Sequence, residues 1–264
     1  MKRLIYQVYI GNRNNLYDHC TKSVQEYAKR IGADYKVLNY ATLRIKPDVF
    51  TTNRNPNAWE KHGGYMPIFE KENVFDYFDE YDQCCVIDAD IYIRPTAPSI
   101  FHEVPDGFTV GSIYECDLPI TDRYANQIKN YSTKCWENYM QYDWNWQERT
   151  GGDFFNSGVM LYNTDKMKEA LNGMSPEEFL KQPMLKPFID GDGHLKWQSD
   201  QMTLNYWFKA KNIPVHRLEW KYNVLFSAVP DEYMHEGHFI HFFMKDKLPN
   251  SGENVAELMK YVNK

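Results

Sequence analysis

The chain has 264 residues, 43% of them hydrophobic and 25% charged, with a formal net charge of -6. That is an ordinary globular balance, and the length suits one large α/β domain or two small ones. An acidic chain lacks the basic surface on which nucleic-acid backbones are bound, so nucleic acid is excluded as the main partner, while a single nucleotide is not. Aromatic residues make up 16%, with 20 Tyr and 7 Trp. Most of them belong to ordinary packing, and the remainder suit contact with the flat C–H faces of sugars.

Met1-Lys2-Arg3 is basic and the following residues to Ile10 are apolar, but the run is too short and interrupted for a signal peptide. No segment approaches the ~18 consecutive apolar residues of a membrane span. Five cysteines form no CxxC pair, which argues against a cysteine zinc site. A soluble protein of the cytoplasm is expected.

In chain order, residues 3–10 predict a first strand. A polar turn follows, then a helix with Leu16, Cys20, Val24, Tyr27 and Ile31 at helical spacing, ended by Gly32. Tyr35 to Leu38 resumes as a strand, which makes a Rossmann-like opening. Residues 41–64 read as a long loop, and Pro67 opens a helix to Phe78. Cys84-Cys85-Val86-Ile87 is a buried strand of the kind found in parallel sheets, with both cysteines as small hydrophobes. A strand over 108–113 leads into a polar, aromatic segment over 114–152, in which only some rings have helical spacing. Strands at 158–162 and near Val215, helices at 165–171 and 199–210, and a last inner strand at 238–243 complete one sheet. Ser175-Pro176-Glu177-Glu178 is a capping box, and residues 251–264 form a terminal helix. With no repeat and no linker, 1–264 is predicted to be one domain.

The strand at 84–87 runs directly into Asp88-Ala89-Asp90. In open α/β sheets ligands sit beyond the carboxyl ends of such strands. Two carboxylates placed there need a positive partner, and a divalent metal holding a phosphate supplies it. Further motifs follow in order: Phe155-Asn156-Ser157-Gly158, Ser199-Asp200-Gln201-Met202-Thr203-Leu204-Asn205, Tyr222-Asn223-Val224, and His241 with Lys247 in a His-x5-Lys spacing. Strand alternation turns His238 to the face opposite His241. Asp190-Gly191-Asp192-Gly193-His194 lacks the rest of a calcium-loop pattern and reads as a turn.

Taken together, these motifs resemble the nucleotide-sugar glycosyltransferases of the GT-A fold. Within them the chain looks most like retaining family 8, which includes glycogenin and bacterial lipopolysaccharide galactosyl- and glucosyltransferases. The resemblance implies an α/β fold with a Rossmann-like, mostly parallel central sheet flanked by helices. It implies a donor-binding half over roughly residues 1–113 and an acceptor-side half over roughly 114–264. It implies metal ligation by Asp88, Asp90 and His241, with Mn²⁺ suited to the mixed oxygen and nitrogen set and Mg²⁺ an alternative. Donor contacts would come from Tyr9, Asn12, Lys71, Asp88, Ala89, Asp90 and Lys247, and Asn156, Asp200 and Gln201 would act on the sugar. The expected activity is transfer of a hexose, glucose or galactose favoured, from a UDP-sugar to a carbohydrate or other hydroxyl, with retention. Trp144 and Trp146 are candidate acceptor stackers.

The chain departs from the family at Met244, where glycine is usual, at Leu248-Pro249 after the lysine, and at Arg13, where an aromatic is usual. Two other readings compete. A sugar-nucleotide nucleotidylyltransferase would need a glycine-rich basic signature near the first strand, of which Gly11 to Asn15 is a poor version. A non-catalytic carbohydrate-binding protein of the same fold would be expected to have a broken metal triad.

Overall fold

A computed structural model of the chain describes residues 1–48, 61–191, 199–244 and 247–263. Its central sheet has six strands in the order β2-β1-β3-β6-β5-β7. They are β1 (Arg3–Val8), β2 (Asp34–Leu38), β3 (Gln83–Ile87), β5 (Val110–Tyr114), β6 (Phe155–Asn163) and β7 (Val215–Arg217). β1 pairs in parallel with β2 and β3, and β5 with β7, while β6 runs antiparallel to both β3 and β5. The mostly parallel α/β sheet expected from the sequence is therefore present, with β6 as its one reversed strand.

Both faces of this sheet are covered. Ile5, Cys85, Ile87, Val159 and Leu161 pack on one side with α1 (Asn15–Ile31). Leu4, Tyr6, Cys84, Val86, Met160 and Tyr162 pack on the other with the segment Pro67–Tyr77 and the helix Asp200–Ala210. Successive strand residues point to opposite faces, so a sheet covered twice needs unbroken apolar runs, and Cys84 to Ile87 is one. α1 begins where the Asn14 side chain accepts the Tyr17 N–H and stops at Gly32, whose φ of 71° is left-handed. Pro67–Tyr77 forms a 3-10 helix rather than an α-helix.

The last inner strand departs from expectation. β9 (Phe239–His241) joins a separate three-stranded sheet, β4-β9-β8, with β4 (Ile91–Ile93) and β8 (Val224–Leu225). The chain turns at Asp88-Ala89-Asp90, so β4 leaves the central sheet and offers β9 its own edge, with Ile91 opposite His241. This small sheet carries the far end of the chain back to the end of β3. Among the described residues no helix is long and apolar enough to cross a membrane.

Candidate functional site

Hydrogen bonds to its backbone fix the turn after β3 from three directions. The Asp88 N–H donates to the Gly158 carbonyl at 2.9 Å, the Gln7 side-chain amide donates to the Asp88 carbonyl at 3.1 Å, and Phe242 N–H donates to the Asp90 carbonyl at 2.9 Å. Gln7 is fully buried, and the Tyr35 hydroxyl donates to its other end at 2.8 Å. The Phe242 bond sets His241 beside the pair. His241 Nε2 lies 3.2 Å from Asp90 Oδ1 and 3.8 Å from Asp88 Oδ2. One ligand atom from each of Asp88, Asp90 and His241 falls within 4.8 Å of the others, a spread on which one metal ion fits. His238 takes no part, as alternation along the strand requires; its ring lies against Tyr222.

The charges are strongly coupled. Burial pushes the Asp88 carboxyl above its ordinary range, against the pull of Lys71. Asp90 is also desolvated, but His241 beside it wins and holds it low. Burial works against a charge on His241 too, yet Asp90 and Asp88 raise it above the usual histidine range. Lys71 sits between two acids: its Nζ is 2.7 Å from Asp200 Oδ2 and also contacts Asp88 Oδ1. Desolvation opposes this ammonium, but Asp200 and Asp88 together keep it charged well above the ordinary lysine range. Asp200 occupies the first turn of the helix Asp200–Ala210, whose cap is Ser199, where a negative charge also meets the helix dipole.

β6 brings the next residues. Its register with β5 jumps from Ser112 opposite Met160 to Ile113 opposite Asn156, so Ser157, Gly158 and Val159 bulge out of the β5 ladder. Bulges of this kind re-aim side chains beside sites. The Ser112 hydroxyl fills the gap, 2.9 Å from both the Asn156 and Val159 carbonyls. Asn205 clamps the start of the strand, accepting the Phe155 N–H at 3.0 Å and donating to its carbonyl at 2.9 Å. Asn156 is thereby aimed at Glu115, to which its amide donates at 2.9 Å. Glu115 also accepts from Tyr124 at 3.1 Å and from Gln201 at 3.4 Å, and Gln201 in turn accepts the Ser157 N–H at 3.2 Å. Burial raises the Glu115 carboxyl above its usual range despite these donors.

These groups share one cavity of about 830 Å³. Tyr9, Lys71, Asp88, Ala89 and Asp90 line it, and so do Asn156, Asp200, Gln201 and His241. Asn12 and Lys247 are exposed and do not line it. Its opposite wall is the helix α2 (Asp122–Trp136), which contributes Tyr124, Gln127, Ile128, Asn130 and Lys134.

The reading of Trp144 as an acceptor stacker is corrected. Trp144 is 1% exposed, its ring stacks on Trp136 at a centroid distance of 4.1 Å, and its N–H donates to the Tyr139 carbonyl at 2.9 Å. A ring sandwiched in the core has no free face for a sugar. Trp146 is 40% exposed but lies outside the cavity wall. In the Asp190–His194 stretch, Asp190 Oδ1 accepts the Asp48 N–H at 2.9 Å, and Asp192 to His194 lie outside the described residues.

Sequence reasoning missed Gln7 and Glu115. Glu115 had a signal: it follows β5 as Asp88 follows β3, a carboxylate just beyond the carboxyl end of a buried strand.

No protein-family model matches the chain, and no curated protein sequence matches it. Solved structures do. An active-site mutant of LgtC aligns with a TM-score of 0.55 at 14% identity, covering 97% of this chain and 95% of that one. A glycosyltransferase involved in glycosylation of the major capsid of PBCV-1 gives 0.53 at 12%, covering 98% and 100%. Mouse xyloside xylosyltransferase 1 gives 0.51 at 13%, covering 94% and 100%. With its mixed sheet, its helices and the carboxylate turn at the end of β3, the chain has the GT-A fold of these glycosyltransferases.

Proposed function

We propose that the protein transfers a sugar from a nucleotide-sugar donor to an acceptor hydroxyl, using a divalent cation held by Asp88, Asp90 and His241. The observation that carries this reading is the convergence of those three side chains on the floor of the large cavity. Two carboxylates and one imidazole form a mixed donor set that suits Mn²⁺ better than Mg²⁺, which disfavours nitrogen. Once bound, such a cation offsets the negative charge of a departing nucleoside diphosphate.

The chain's own residues do the rest of the work in this reading. Lys71, held between Asp88 and Asp200, supplies a fixed positive charge on the donor side, a preorganised arrangement that favours charge as it develops. Tyr9 lines the cavity close to the end of β1 and faces the nucleoside part. Asn156, Asp200, Gln201 and Glu115 offer hydrogen bonds to sugar hydroxyls. The donor is a UDP-hexose, glucose or galactose favoured, and the acceptor is a carbohydrate or other hydroxyl. Retention follows from a same-face course, in which the acceptor oxygen bonds to the anomeric carbon as the phosphate oxygen leaves and takes the acceptor proton. Asn12 and Lys247, which are exposed outside the cavity lining, take no part in this reading.

Hydrolysis and transfer assays across a panel of nucleotide sugars test this reading. Turnover of one UDP-hexose that needs Mn²⁺ and stops with chelator is expected, with the product keeping the donor's anomeric configuration. Absence of turnover across the panel, or turnover indifferent to chelation, contradicts it.

A further inference from the structure

The far nitrogen of the candidate metal ligand is held by a chain of hydrogen bonds that starts at a backbone amide. Gly158 N–H donates to Asn156 Oδ1 at 2.9 Å, and Asn223 Nδ2 donates to the same oxygen at 2.9 Å. Asn223 Oδ1 then lies 2.9 Å from His241 Nδ1. Asn223 is fully buried and Asn156 nearly so, so water does not compete for these groups.

The ends of a side-chain amide are nearly alike in shape, so its orientation must be read from its partners. Here each partner settles the next. A backbone N–H is only ever a donor, so the Asn156 atom that faces Gly158 is its oxygen. That oxygen must be met by a donor, so the Asn223 atom that faces it is the NH₂. The Asn223 oxygen therefore points at the imidazole, and His241 Nδ1 carries the hydrogen. Nε2, 3.2 Å from Asp90 Oδ1, is left as the nitrogen that offers a lone pair to a cation.

The ring is also held by shape. A methyl group on Gly158 would lie 2.6 Å from His241 Cε1 and 2.8 Å from Nδ1, so the absence of a side chain at Gly158 lets the imidazole come close against the β6 bulge. The amide that donates the first bond and the surface that supports the ring belong to the same residue.

We propose that Asn223, with Asn156, is a positioning residue of the metal centre: the relay from Gly158 fixes the Nδ1–H tautomer of His241 and aims Nε2 at the carboxylate pair. The proposal rests on the metal reading of Asp88, Asp90 and His241. It gives Asn156 a second role, since its carbonyl is wholly committed to the relay and its amide shares a bond with Glu115. Partners that orient a ligating histidine are worth roughly 10–100-fold in metal affinity.

The test is Mn²⁺ affinity by electron paramagnetic resonance, measured on the native chain and on Asn223→Leu and Asn223→Asp, with the ¹⁵N spectrum of the native His241 ring recorded above its titration. Asn223→Leu keeps the volume and removes both bonds, so it is expected to weaken Mn²⁺ by roughly 10–100-fold and, because a buried Nδ1–H loses its acceptor, to lower the melting temperature as well. Asn223→Asp keeps an acceptor for Nδ1–H but loses the donor to Asn156, so it is expected to retain more of the affinity than Asn223→Leu and less than the native chain. The native ring is expected to carry its hydrogen on Nδ1. Native-like Mn²⁺ affinity in Asn223→Leu overturns the proposal, and so does hydrogen on Nε2 in the native ring, which no folding defect of a variant can mimic. If the native chain itself holds no Mn²⁺, the metal reading falls and the relay's purpose falls with it.

Discussion

The cavity has two walls of opposite character. On the strand-end wall, the side chains of Lys71, Asn156, Gln201 and His241 are each tied to another protein group within 3.4 Å. On the α2 wall, Gln127, Asn130 and Lys134 are exposed side chains on a helix whose other face is packed with Ala125, Ser132 and Trp136. The first wall is preorganised and the second adaptable. Rigid groups suit a step whose geometry is fixed, such as holding a cation and a diphosphate. Exposed side chains on a firm helix suit a partner that varies.

This contrast is open to attack at several points. The largest effect is expected at the strand-end wall. Asp90→Asn removes a charge that His241 and a bound cation balance, and transfer should fall by about 10³-fold or more, with melting temperature within a few degrees of native. Near-native turnover in that variant would show that the rigid wall has no part in the chemistry.

Next comes the packing behind the helix wall. Trp144→Ala should cost about 3–5 kcal/mol of stability in chemical denaturation, because the ring fills the core against Trp136. Trp146→Ala should stay within about 0.5 kcal/mol of native. Equal costs would mean that the two rings are not divided between core and surface.

A smaller loss is expected at Asn205, which clamps both backbone groups of Phe155 and so sets the bulge. Asn205→Leu leaves a buried N–H and C=O unpaired, at about 1–3 kcal/mol. Its activity should fall further than its stability alone explains, since Asn156 loses its anchor. A stability loss with full activity would detach the clamp from the site.

The smallest effect is a pH dependence. The buried Glu115 carboxyl lies above its ordinary value, so folding favours its protonated form. The stability this contributes is complete below about pH 4 and is lost as pH rises through the folded value. Glu115→Gln should therefore match native stability in acid and exceed it increasingly toward neutral pH. A gap that is the same at every pH would contradict the raised carboxyl.

The two walls also differed in how legible they were in the sequence. Cys84 to Ile87 is apolar at every position, and a sheet covered on both faces leaves few other places for such a run. Carboxylates directly after it then mark the ligand edge. His241 was implied by the family resemblance, through its His-x5-Lys match, with strand alternation setting it apart from His238. The relay was not legible: Asn223 and Asn156 are brought together by a strand bulge and a second sheet, and neither arises from local pattern. Helix α2 was read as an irregular aromatic excursion, although Tyr124, Ile128, Tyr131 and Cys135 follow helical spacing. Tyrosine serves both core and surface, so its periodicity is a weak signal. The same ambiguity misplaced Trp144, because burial of a ring depends on its tertiary neighbour, here Trp136.

The central claim is that the carboxylate turn and His241 hold the donor's diphosphate through a metal. Thermal unfolding with UDP, in Mn²⁺ and in chelator, tests it most directly, because a ligand bound only to the folded chain stabilises it by the logarithm of its concentration over Kd. UDP should raise the melting temperature with Mn²⁺ present and leave it unchanged in chelator. An equal rise in both conditions would mean that the nucleotide is held without the metal, and the claim would fail.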